Sequence, residues 1–125
     1  MEDNILIIEI KNGPEDGKVY KFKENDFPII IGRDIFGDEK EIPIVYDTFV
    51  SKKHVEVKYI DNQFVLKDLN SSNGTKINDS PIEKGEEKLI TDKTIITVGY
   101  TNLLIRLPAS DLSKSVQALM KSRVM

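Results

Sequence analysis

Along most of the chain, short runs of β-branched, aliphatic and aromatic side chains, several alternating with lysine or glutamate, are separated by Gly, Pro, Asn and Asp. Period-two alternation with turn residues at such close spacing predicts strands and leaves no room for intervening helices. The runs fall at 5–11, 17–23, 27–31, 42–45, 54–60, 63–69, 75–78, 81–83, 88–91, 94–98 and 103–107. About eleven short strands predict an all-β fold, a two-sheet antiparallel β-sandwich. Between 54–60 and 63–69 lie only Asp61 and Asn62. Both side-chain types tolerate the positive φ of a two-residue turn, so this pair predicts a tight hairpin.

The pattern changes after Pro108. Ser110 or Asp111 can cap a helix, and Leu112, Val116, Leu119 and Met120 then recur at helical spacing. The expected organisation is a sandwich domain over 1–108 and a short amphipathic helix or linker over 109–125. Such a helix is marginal alone. It either packs on the sandwich or leads to a partner or a further domain.

Composition narrows the function. At 125 residues the chain is one domain's worth, and no apolar run approaches the roughly 20 residues that cross a bilayer. No membrane insertion is expected, and the acidic start, Glu2-Asp3, does not resemble a secretory leader, so the expected location is cytoplasmic. With no cysteine and one histidine, thiolate chemistry, disulfides and the usual zinc ligand sets are missing, and no metal or cofactor is expected. A net charge of −3 argues against a broad nucleic-acid-binding face. Any anion site is therefore local. Lysine is the default cation here and arginine stands only at 33, 106 and 123, which draws attention to Arg33 and its planar donor fork.

Three short motifs carry the candidate chemistry: Gly32-Arg33, Ser51-Lys52-Lys53-His54, and Asn70-Ser71-Ser72-Asn73-Gly74-Thr75. Each has a plain reading. Gly32 lets a strand end turn sharply, Lys52 and Lys53 are solvated cations, and Asn73-Gly74 is a favoured turn. Ser51 near His54, with Asp47 or Asp68 orienting the ring, is the one arrangement that suggests nucleophilic catalysis. It lacks a nucleophile elbow and oxyanion-loop glycines, and His54 reads better as a structural residue tying loops together. No Gly-rich phosphate loop precedes a lysine and a helix, so nucleotide hydrolysis is also missing its apparatus. Together, the motifs place an arginine, hydroxyls and asparagines on loops that can converge on a small anion.

In this order and spacing the motifs resemble the forkhead-associated (FHA) domain, with its Gly-Arg, Ser-x-x-His and Asn-Gly pattern on an eleven-strand sandwich that binds phosphothreonine peptides. The match covers nearly all of 5–107 and includes the run from Asp68 to Thr75 and Ile77-Asn78. The resemblance implies that Arg33 and the Ser51 hydroxyl hold the phosphate with help from Lys52 and Ser72. It implies that Asn73 bonds the peptide backbone, that Gly32, His54 and Gly74 shape the loops, and that threonine is preferred through a small methyl pocket. The implied partner is a phosphothreonine-containing substrate of a Ser/Thr kinase, and the implied role is signalling without catalysis.

Each charge-assisted hydrogen bond to phosphate is worth about 1.5–3 kcal/mol. Three or four of them, reduced by the cost of ordering a peptide, give affinity around the micromolar range, about −8 kcal/mol. Two departures stand out. Lys52 occupies a position that is often arginine in the family, and the segment 34–41 carries Asp34, Asp38, Glu39 and Glu41. That acidity is expected to disfavour acidic residues flanking the phosphothreonine. The competing reading is a scaffold that associates through a sheet surface or the C-terminal helix without phosphate.

Overall fold

The computed structural model describes residues 3–35 and 40–108. Part of the acidic segment, 36–39, and the expected helix within 109–125 lie outside the described residues. Eleven strands run in chain order: β1 (Asn4–Ile10), β2 (Val19–Lys23), β3 (Ile29–Gly32), β4 (Glu41–Pro43), β5 (Val55–Ile60), β6 (Gln63–Asp68), β7 (Thr75–Ile77), β8 (Ser80–Ile82), β9 (Glu87–Ile90), β10 (Ile95–Val98) and β11 (Thr101–Arg106). They form a sandwich of one six-stranded sheet, ordered β2-β1-β11-β10-β7-β8, and one five-stranded sheet, ordered β4-β3-β5-β6-β9.

The core is the set of inward positions that alternation dictates. Leu6, Ile8 and Ile10 of β1 meet Leu103 and Ile105 of β11, and Ile31, Val55, Val57 and Leu66 face them from the other sheet. Leu66 is fully buried. Truncating such a side chain to alanine costs about 2–5 kcal/mol. Phe22, Phe27, Tyr59 and Phe64 close one part of the core through ring contacts at 4.7–6.2 Å.

The hairpin at Asp61-Asn62 is as expected: φ is +52° and +63°, and Ile60 pairs with Gln63 across it. Asn78-Asp79 makes a second tight turn of the same kind, with φ of +50° and +69°, so the strand expected over 75–78 stops at Ile77. Every pairing is antiparallel except β3 with β4, where Ile31 lies beside Ile42 and the strands run the same way. The segment after Gly32 therefore crosses over instead of turning back as a hairpin, which places Arg33 at the head of a loop. Among the described residues no helix is long and apolar enough to cross a membrane.

Candidate functional site

Three loops meet at one end of the sandwich, those after β3, before β5 and between β6 and β7. Their meeting line is the tripeptide Phe49-Val50-Ser51. The carbonyl of Phe49 accepts Asn73 Nδ2 at 3.0 Å, and the carbonyl of Val50 accepts Arg33 Nε at 2.9 Å. Ser51 Oγ accepts the Ser72 N–H at 2.9 Å, and the Ser51 carbonyl accepts the Arg33 N–H at 3.0 Å. The structure thus brings Arg33, Ser51, Ser72 and Asn73 together through one short strip of chain. Lys52 sits beside them, exposed, with its carbonyl accepting the Asp34 N–H.

Gly32 makes this approach possible, though not by a turn. Its φ is not positive. A Cβ there would penetrate the Lys52 carbonyl oxygen and lie 2.8 Å from the carbonyl carbon, closer than real Cβ atoms come. The loop before β5 can lie against β3 only because that side chain is absent. Gly74 is needed for the opposite reason: a Cβ would meet nothing within 4 Å, but φ is +85°.

His54 is fully buried beneath the loops. Its Nδ1 accepts the Ser51 N–H at 3.0 Å, so the ring proton belongs on Nε2, which donates to the Gly74 carbonyl at 2.8 Å. Its backbone N–H bonds the Ile31 carbonyl, and its own carbonyl accepts the Leu69 N–H. One residue therefore ties β3, the loop before β5 and the β6–β7 loop. Burial holds its pKa below the usual histidine value despite the Gly74 bond and the nearby Asp68 and Asp47 charges. The ring is a neutral fastener whose two nitrogens both serve backbone groups. It is not arranged to take a proton from Ser51 Oγ.

Sequence reasoning gave Asp68 only a possible role orienting His54, yet the structure makes it the centre of the β6–β7 loop. Its carboxylate accepts Ser71 Oγ at 2.6 Å, Thr75 Oγ1 at 2.7 Å and the Ser71 N–H at 3.1 Å, with the Gly85 N–H further off at 3.4 Å. Desolvation pushes its pKa up, but the bonds from Ser71 and Thr75 outweigh this and hold it below the usual carboxylate value. Ser71 is thereby turned fully inward, leaving Ser72 exposed at the site. Asp47 plays the same part on the other side, accepting the N–H groups of Phe49 and Tyr100 and the hydroxyl of Thr101. Gly99 leaves room for it, since a Cβ there would lie 2.8 Å from both Asp47 oxygens. The signal for Asp68 was an acid followed at short distance by Ser71 and Thr75, too common in turns to single out. Phe49 and Tyr100, 45 % and 71 % exposed, stack edge to face at 4.7 Å and add an aromatic ledge beside the strip.

The hydrogen-bond inventory then decides what this surface can do. Ser51 Oγ is already an acceptor, so its own hydrogen is left to donate outward. Arg33 is fixed through Nε, which orients the guanidinium plane, and among the described residues its Nη groups have no hydrogen-bond partner. Ser72 contributes a hydroxyl and Asn73 an exposed amide. A surface this rich in donors, with Arg33 at its centre, suits an oxyanion.

A family model for the FHA domain matches residues 29–99. The chain belongs to the FHA-domain family. It is 31 % identical over 91 residues to the FHA domain-containing protein FhaA of Mycobacterium tuberculosis, a match that covers 73 % of this chain but only 16 % of that protein. In structure it is similar to the FhaA FHA domain complexed with the intracellular domain of Rv3910, at 30 % identity and TM-score 0.64, covering 81 % of this chain and 99 % of that one. It is also similar to an FHA domain of phosphothreonine-dependent interactions, at 28 % identity and TM-score 0.67, covering 83 % of this chain and 97 % of that one. In this FHA domain the matched residues 29–99 include all three motifs.

Proposed function

We propose that this FHA domain is a non-catalytic module that recognises a phosphothreonine-containing peptide. The observation that carries this reading is the convergence of Arg33, Ser51, Ser72 and Asn73 on the strip Phe49-Val50-Ser51. The phosphothreonine-dependent interactions of a structural relative support it. Arg33 and the Ser51 hydroxyl grip the phosphate, the Ser72 hydroxyl and Lys52 ammonium assist, and Asn73 bonds the peptide backbone beside the phosphothreonine. Gly32, His54 and Gly74 hold the loops in place. Phosphate supplies nearly two negative charges and three acceptor oxygens, which this donor set matches. Asp34, exposed next to Arg33, repels acidic residues flanking the phosphothreonine.

The test is calorimetric titration of a phosphothreonine peptide library against wild type, Arg33→Ala and Ser51→Ala. Wild type is expected to bind in the micromolar range, about −8 kcal/mol, with each variant weakened about 10- to 100-fold. Phosphate-independent binding by wild type overturns the reading in favour of a scaffold. Undiminished binding by Arg33→Ala moves the site elsewhere.

A further inference from the structure

Asn-Gly occurs twice in the chain, at Asn12-Gly13 and at Asn73-Gly74. The pair carries a chemistry of its own. The glycine N–H loses its proton to solvent base and the nitrogen attacks the asparagine Cγ, an approach that no side chain on the glycine obstructs. A new N–Cγ bond forms, the Cγ–Nδ2 bond breaks, and the amide nitrogen leaves as ammonia. Water then opens the cyclic imide at either carbonyl, giving aspartate or isoaspartate. The net reaction is hydrolysis of the side-chain amide and needs no oxidant or reductant.

The fold treats the two pairs differently. Asn12 is half-buried and both ends of its amide are held: Nδ2 donates to the Tyr100 carbonyl at 2.8 Å, and Oδ1 accepts the Asn102 N–H at 2.8 Å. Swinging that amide back onto its own main chain breaks both bonds, which join the β1–β2 loop to the β10–β11 turn. Asn73 is exposed and is held at one end, by the Nδ2 bond to the Phe49 carbonyl at 3.0 Å. Among the described residues, Asn73 Oδ1 and the Gly74 N–H have no hydrogen-bond partner. A Cβ on Gly74 would meet nothing within 4 Å, so the space beside the attacking nitrogen is open.

We propose that Asn73-Gly74 is a self-modifying pair: Asn73 deamidates in the folded domain, and the product no longer reads phosphopeptide. The consequence for binding rests on the reading of Asn73 as the group that bonds the peptide backbone. A carboxylate only accepts, so its oxygen repels the Phe49 carbonyl, and the amide that serves the peptide is gone. A negative charge also enters the loop end where Arg33 and Ser51 grip phosphate. Isoaspartate goes further: it routes the main chain through the former side chain and displaces the Gly74 carbonyl that His54 Nε2 holds at 2.8 Å.

The test incubates the full chain at neutral and mildly alkaline pH, folded and in guanidinium chloride, and quantifies aspartate and isoaspartate at positions 12 and 73 by peptide mapping. Relative to its own rate in denaturant, position 12 is expected to be slowed at least about tenfold more than position 73, and position 73 to react faster at the higher pH. Titration with a phosphothreonine peptide is expected to lose binding in step with the fraction reacted, and Asn73→Asp to bind at least about tenfold more weakly than wild type. An intact position 73 in the folded chain while the denatured chain reacts, equal slowing of both positions, or full binding by the deamidated chain overturns the proposal. If fresh wild type binds no phosphothreonine peptide, the proposed function falls instead, and the mapping still decides whether Asn73 is the reactive site.

Discussion

The loop end of the sandwich is built in two layers with opposite economies. Arg33, Ser51, Ser72 and Asn73 form an outer layer at the surface, joined to one another through a few bonds along the strip Phe49-Val50-Ser51. The inner layer of His54, Asp68, Ser71, Thr75 and Asp47 spends its hydrogen-bonding capacity internally. A polar group that faces water loses little when a partner is removed, whereas one that is buried leaves its partners unsatisfied. The layers should therefore separate experimentally: inner substitutions unfold or loosen the domain, and outer ones weaken binding in a folded domain.

The largest effect is expected from Asp68→Ala, which strands the buried hydroxyls of Ser71 and Thr75. Urea unfolding should show a loss of about 3–5 kcal/mol. A loss below about 1 kcal/mol would mean that the two layers are not distinct. Next, Gly32→Ala forces a Cβ into the Lys52 backbone and should cost about 2–3 kcal/mol. Gly74→Ala has open space and only its φ to suffer, at about 1 kcal/mol. Comparing their urea midpoints tests whether close approach outweighs backbone strain here.

Acid gives a third test. Folding keeps His54 neutral, so between its unfolded value, about 6.5, and its lower folded value the unfolded chain binds the extra proton. Its contribution is complete above about pH 6.5 and declines as pH falls towards the folded value, by at most about 1.4 kcal/mol per pH unit. With one histidine in the chain, that slope should vanish in His54→Asn. Asp68 acts further down: its contribution is present above its unfolded value, near 3.8, and is lost as pH falls through its depressed folded value. Denaturation curves from pH 7 to 3 would resolve the two stages. The smallest effect on folding belongs to the outer layer. Asn73→Ala should leave stability within about 0.5 kcal/mol while weakening phosphopeptide binding about fivefold to tenfold in titration.

Much of this fold was legible because strands declare themselves locally. All eleven runs became strands, displaced by a residue or two at their ends. The Asp61-Asn62 hairpin was readable because side-chain type alone selects its φ. Long-range facts were harder. Gly32 looked like a turn residue, but its reason is the backbone of Lys52, twenty positions away and brought near only by folding. The parallel β3–β4 pair was invisible because alternation reports which face a residue uses and not the direction of its neighbour. In the site, the exposed candidates were found through motif order. Asp47 and Gly99 were not found as supports, since their partnership spans the molecule and leaves no local pattern.

The single imidazole beneath the loops has a consequence for engineering. Because one ring fastens Ser51 to Gly74, and its backbone fastens both segments to Ile31 and Leu69, the loops are a single inherited part. Transplanting one of them onto a related scaffold would import half of a joint. Outward side chains such as Phe49, Lys52 and Tyr100 are exposed and can be rewritten while the chassis beneath them is left intact.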